Sequence, residues 1–245
     1  MSYKYATKNI NYEDYSSGRV FYNQYGATSF PVRLTNEIFQ RCVNILKENG
    51  ISSPYSIYDP CCGGAYLLTT IGYLFGNKIN KIYASDIDKT VLELAKKNLS
   101  LLTQSGLSNR VEEINKMISA YGKESHHEAL QSALRLKDLL SKIPHSIDIN
   151  CFICDATKTD TINEVNNINM VITDLPYGDI VSWVNASDEN EAIFQLLDNL
   201  LPKLSTNAVV AIISKKKTSI RHNNYKRVER FTIGKRQVTL LCPLS

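Results

Sequence analysis

The chain has 245 residues, 43% of them hydrophobic, and a formal net charge of +4. That is enough for one sizeable core with an appendage, and the composition excludes an intrinsically disordered chain. No apolar run approaches the roughly 18 residues of a membrane-spanning helix, and the polar N-terminus lacks a signal peptide's apolar region, so a soluble cytoplasmic protein is expected.

Residues 1–30 are polar and tyrosine-rich (Tyr3, Tyr5, Tyr12, Tyr15, Tyr22, Tyr25). Tyrosines can stack on bases, but covering an apolar surface is their commoner use. From Pro31 the pattern turns helical. Leu34, Ile38, Phe39, Cys42, Val43 and Leu46 make one stripe, closed by Asn49-Gly50, with Arg33 and Arg41 off it or at its edge. Residues 1–50 therefore read as an N-terminal extension on the substrate side of a main fold spanning 51–245.

The main fold opens on Ser-Ile-Tyr-Asp-Pro-Cys-Cys-Gly-Gly, residues 56–64. An apolar strand ends in Asp59, a loop follows through Pro60, Cys61, Cys62, Gly63 and Gly64, and a helix runs from Ala65 to Leu74. This is the first strand–loop–helix of a doubly wound α/β sheet, whose ligands bind at the carboxyl ends of the strands. The glycines allow a sharp turn and a close backbone approach. Neither a dinucleotide glycine triplet nor a Gly-Lys-Ser/Thr phosphate loop is present.

A second strand, 81–86, ends in Asp86 and leads into a helix over 90–102. That acid sits where a ribose-binding carboxylate falls in such folds, and Ile87 just beyond can cover an adenine face. Asp88 is better read as the helix N-cap. Residues from about 103 to 146 exceed a minimal βαβ unit and read as a helical insertion. Its adjacent His126 and His127 point about 100° apart on a helix, a poor ligand pair.

The third strand, 147–155, contains Cys151-Phe152-Ile153-Cys154 and ends in Asp155, a candidate for an adenine amino group or a turn acid. Cysteines three apart on a strand face opposite sides, and with no second pair at zinc-ribbon spacing no metal is expected. The fourth strand, 169–174, runs into Thr-Asp-Leu-Pro-Tyr-Gly, residues 173–178. Here an acid at the strand end precedes a proline-stiffened turn and an aromatic. A helix over 192–201, a fifth strand over 207–214, and a hairpin of 228–233 with 237–242 about Gly234 complete a seven-stranded sheet.

After Pro202 the chain carries ten lysines and arginines against Glu229 as its only acid. Such asymmetry is the footprint of a polyanionic partner or a solvated basic face.

Four strand ends thus carry Asp59, Asp86, Asp155 and Asp174. The constellation resembles the Rossmann-like S-adenosylmethionine-dependent methyltransferases. Asp174-Leu175-Pro176-Tyr177 is similar to the Asp/Asn-Pro-Pro-Tyr/Phe motif of enzymes that methylate base nitrogens, with Leu175 in place of the first proline. Together with Phe30-Pro31-Val32-Arg33-Leu34, Glu93-Leu94-Ala95, Lys97-Asn98-Leu99 and the insertion, these motifs resemble the avilamycin-resistance (AviRa-type) ribosomal RNA methyltransferases over most of residues 18–215.

The resemblance implies transfer of a methyl group to guanine N1 of 23S ribosomal RNA, and a monomer is the default expectation. It extends to resistance against ribosome-targeting antibiotics, an outcome that a small change in the target-binding surface could redirect. The cofactor would lie on Asp59, Pro60, Cys61, Cys62, Gly63, Asp86, Ile87, Asp155 and Asp174. Asp174, Leu175, Pro176 and Tyr177 would act at the base, and Arg33, Lys215, Lys216, Lys217 and Arg221 would grip phosphate. A methyltransferase with another acceptor, or an inactive ribosome-binding factor, are the alternatives.

Overall fold

The computed structural model describes residues 3–23, 29–176 and 188–244. A seven-stranded sheet in the order β3-β2-β1-β4-β5-β7-β6 organises the molecule. Strands β1 (Tyr55–Asp59), β2 (Ile79–Asp86), β3 (Asp148–Ile153), β4 (Ile168–Asp174) and β5 (Leu204–Lys215) run parallel. The hairpin of β6 (Tyr225–Ile233) and β7 (Arg236–Pro243) adds antiparallel, with β7 inserted against β5. The order reverses between β1 and β4, which places the switch point, where such sheets bind ligands, between Asp59 and Asp174.

The period of two along each strand divides the core. Ile57, Ile82, Ala84, Met170, Ile172, Val209, Ala211, Ile213, Val238 and Leu240 face one side. There they meet α1 (Val32–Glu48), α2 (Tyr66–Phe75) and α3 (Lys89–Ser100), with α4 (Gln104–Tyr121) and α5 (Glu124–Ser141) extending the same cluster. Tyr58, Tyr83, Val171, Val210, Ile212 and Leu241 face the other side, packed by α6 (Glu189–Leu200). The cysteines obey the same rule: Cys151 packs against the first cluster and Cys154 lies in the second.

The expected insertion is the helical hairpin α4–α5, broken where Gly122 adopts φ +56. It grips the N-terminal stretch. Arg135 is bidentate on Asp14, Arg19 pairs with Glu128, and Arg110 Nε donates to the Val20 carbonyl at 2.8 Å. Tyr15 is buried edge-on to Phe21 and Tyr73, so this tyrosine covers apolar surface.

Arg41, expected off the α1 stripe or at its edge, lies at that edge and is buried there. It is 7% exposed, its guanidinium joining Glu37 one turn earlier to Glu229 on β6. A buried guanidinium needs paired carboxylates, and only the hairpin's return beside α1 supplies the second. β5 and α6 both begin three residues earlier than expected, and β5 runs one residue further. Asp188 caps α6 through the Glu191 amide, and Ile168 pairs with Leu204.

Candidate active site at the carboxyl edge of the sheet

Strand alternation carries Asp59, Asp86 and Asp174 to the same face as Ile57, Ala84 and Ile172, at the sheet's carboxyl edge. Asp59 is 2% exposed, and the Cys61 amide donates to its Oδ1 at 3.1 Å. Burial pushes its carboxyl up to about 7, and the nearby Asp86 and Asp174 charges add to the rise. Asp86 is also raised by burial, and its oxygens accept the Gly63 and Asp88 amides at 2.9 and 3.0 Å. A carboxylate offers about four acceptor sites, so lone pairs remain for hydroxyl donors. Three carboxylates whose fields overlap fit a ligand bearing positive charge and hydroxyls.

The loop from Pro60 to Gly64 is built by left-handed backbone. Gly63 sits at φ +52 and Ala65 at φ +55, and the Ala65 amide closes on the Cys62 carbonyl at 2.7 Å. Gly64 serves packing. A Cβ there would lie 2.8 Å from the Tyr66 ring and 2.9 Å from Leu94, leaving no room for a side chain. Cys62 is buried with its thiol against Cys151. Its amide donates to the Ser85 carbonyl, tying the loop to β2.

Asp88 caps α3 through the Thr90 and Val91 amides. Ile87 is exposed just past β2, open to a flat ligand. Asp155 is built as a turn acid: its Oδ1 accepts both the Thr157 amide and hydroxyl, and Lys158 lies 3.9 Å from Oδ2.

At the Asp174 end, the Leu175 amide donates to the Ile213 carbonyl at 3.0 Å, and its side chain is buried among the residues that pack α6. A proline has no N–H to make that bond. The substitution in the motif thus extends the β4–β5 ladder by one residue. Only the Leu175 backbone is left to face a ligand, and Pro176 follows half-buried. Tyr177 lies outside the described residues.

The phosphate-gripping candidates are not gathered in one place. Lys215 ends β5 directly opposite Arg236, so Lys215, Lys216 and Lys217 stand exposed at the same edge as Asp174, beside the Gly234-Lys235 turn. Arg221 instead precedes His222, which is held by Asp198 near the far end of α6. Arg33 donates to the Ala6 and Thr7 carbonyls and stacks on Tyr3 at 4.1 Å, fastening the N-terminal segment.

Sequence reasoning missed one residue at this site. Arg236 opens β7 with its Nε 3.8 Å from Asp174 Oδ2 and its guanidinium over the Phe30 ring at 5.2 Å. The basic composition was visible, but nothing local separates Arg236 from Arg230 or Lys235. Among the described residues no metal-ligating group of His, Cys, Asp and Glu is found, and no helix is long and apolar enough to cross a membrane.

Comparison with known proteins agrees with this fold. The family model described as rRNA methyltransferase AviRa matches residues 1–236. The chain is 34% identical over 243 residues, 98% of it and 95% of the relative, to the 23S rRNA (guanine(2535)-N(1))-methyltransferase of Streptomyces viridochromogenes. It superposes on the solved aviRa rRNA methyltransferase of that organism with a TM-score of 0.88 at 33% identity, covering 99% and 96% of the two chains. TrmN from Thermus thermophilus shares the fold alone, at a TM-score of 0.53 and 14% identity over 90% of this chain and 51% of that one.

Proposed function

The chain belongs to the AviRa family of ribosomal RNA methyltransferases, and from that membership we propose that it methylates guanine N1 in 23S ribosomal RNA using S-adenosylmethionine. The observation that carries the reading is the convergence of Asp59, Asp86 and Asp174 at the switch point, beside the lysine-rich edge at Lys215–Lys217. An anionic sheet edge beside a cationic rim suits a cationic cofactor and a polyanionic substrate together.

When bound, S-adenosylmethionine supplies a methyl carbon on a sulfonium, the C–S electron pair leaving with sulfur. Asp59 would hold the cofactor's ammonium, Asp86 its ribose hydroxyls, Ile87 one face of its adenine and Asp155 the adenine amino group. The loop over Pro60, Cys61, Cys62 and Gly63 shapes the floor of that site. Asp174 accepts the guanine N1–H, and the Leu175 and Pro176 backbone orients the exocyclic amino group. Tyr177 stacks on the base, which must be splayed from its stack to reach the edge. Lys215, Lys216 and Lys217 bind phosphate, with affinity falling as salt rises. Arg33 acts by positioning the N-terminal segment, and Arg221 lies too far round the sheet to join them. The protein works in the cytoplasm as a monomer.

The test incubates the protein with labelled S-adenosylmethionine and unmodified 23S ribosomal RNA, then digests to nucleosides for mass analysis. Labelled 1-methylguanosine is expected. Label on another nucleoside would overturn the guanine N1 assignment, and an unlabelled RNA would overturn the substrate class.

A further inference from the structure

Arg236 is held in place and underused. Its backbone is paired on both sides, with Lys215 of β5 and Ile233 of β6, so the side chain springs from a rigid element. The strand period puts it on the face of Val238 and Leu240, the face that also carries Asp174, with β5 between them. Phe30, 8% exposed, forms the platform beneath its guanidinium. Its Nε is buried yet finds no hydrogen-bond partner among the described residues, and Asp174 at 3.8 Å is beyond hydrogen-bonding distance. A guanidinium has five N–H donors, and leaving a buried donor unmade is costly. An acceptor is expected at this position, in reach of both Asp174 and the open edge.

We propose that Arg236 is a catalytic and specificity-determining residue that donates to O6 of the target guanine. This rests on the guanine N1 reading above. As N1–H passes its proton to the Asp174 carboxylate, the electron pair left on N1 delocalises onto O6. A fixed cation at O6 stabilises that charge where it develops. The N1 pair then forms the bond to the methyl carbon, Arg236 keeps its own proton throughout, and Asp174 releases the transferred proton to solvent. Arginine is the usual partner of guanine O6 and N7, whereas adenine presents an amino donor at that position and is rejected. Phe30 holds the fork flat by cation–π contact.

The experiment compares Arg236→Gln and Arg236→Lys with the parent protein in single-turnover methylation of unmodified 23S ribosomal RNA, across pH 6 to 9. Cofactor affinity and thermal midpoint are measured alongside. Arg236→Gln is expected to lower the rate constant about a hundredfold at neutral pH. The deficit should shrink as pH rises, because solvent then assists loss of the N1 proton. Asp59 remains in every protein, so its titration cancels in the ratio. Arg236→Lys keeps a cation without the planar fork and should retain an intermediate rate.

A variant rate within threefold of the parent would overturn the proposal, as would a deficit equal at every pH. So would a phosphate-contact signature: KM raised, the rate constant kept, and the salt slope reduced by about one. If the parent itself makes no 1-methylguanosine, the guanine N1 reading fails first. If the parent makes it and Arg236→Gln matches the parent, only the role of Arg236 fails.

Discussion

Glu37 and Asp59 are buried to the same degree, at 0% and 2% exposure, yet their environments push them in opposite directions. Burial raises both. At Glu37 the amides of Lys4, Tyr5 and Ala6 and the Arg41 guanidinium outweigh it, and the carboxyl ends below its ordinary value. At Asp59 the Thr173 hydroxyl and one loop amide offset burial only in part, the neighbouring groups include two more acids, and the carboxyl is held near 7. The first carboxylate has its full set of partners inside the fold and fastens the N-terminal segment through α1 to β6. The second lacks a counter-charge, which a cationic ligand would supply. Satisfied burial marks structure, and unsatisfied burial marks the site.

That contrast can be broken experimentally, beginning with the largest effect. Asp174→Asn should lower methyl transfer about a thousandfold while cofactor binding persists. Near-parental turnover would remove Asp174 from the proton-accepting role. Glu37→Ala strips a buried network of its centre and should cost about 3 kcal/mol of stability in denaturant unfolding. A loss below about 1 kcal/mol would show that the N-terminal segment is not anchored there.

Smaller effects sharpen the cofactor side. Asp86→Ala removes charge-assisted hydrogen bonds worth about 2 kcal/mol and should weaken cofactor binding about thirtyfold by calorimetry. Unchanged affinity would refute the ribose assignment.

For Asp59 the sign follows from its raised value. The folded state favours the protonated acid, so its contribution to the stability of the ligand-free protein declines as pH rises from about 4 towards 7. Binding an ammonium requires the ionised form, so cofactor affinity should run the other way and fall about tenfold between pH 8 and pH 6. Asp59→Asn should flatten that slope, and a slope that survives the substitution would assign the titration to another group.

Legibility followed the range of the interactions involved. The glycine loop, the strand-end acids and the α1 stripe are patterns within one element, where a period of two or 3.6 and a turn residue suffice. They placed Asp59, Asp86 and Asp174 on one edge. Asp155 illustrates the limit: its position matched a site acid, but the Thr157 hydroxyl and amide make it a turn acid as well. The basic C-terminal third was legible as composition but not as a surface. Lys215–Lys217 end a parallel strand at the reactive edge, whereas Lys226 opens β6 opposite Cys242 towards the other edge.

By itself the sequence determined the parallel α/β order, the helical insertion, the acids at the strand ends and the family resemblance, because each is carried by short-range pattern. Only the tertiary structure decided that β7 enters between β5 and β6. That one register seats Arg236 beside Asp174 on the Phe30 ring and brings Glu229 to Arg41. Such pairings join residues far apart in the chain. They are selected by the packing of the whole sheet rather than by any local propensity.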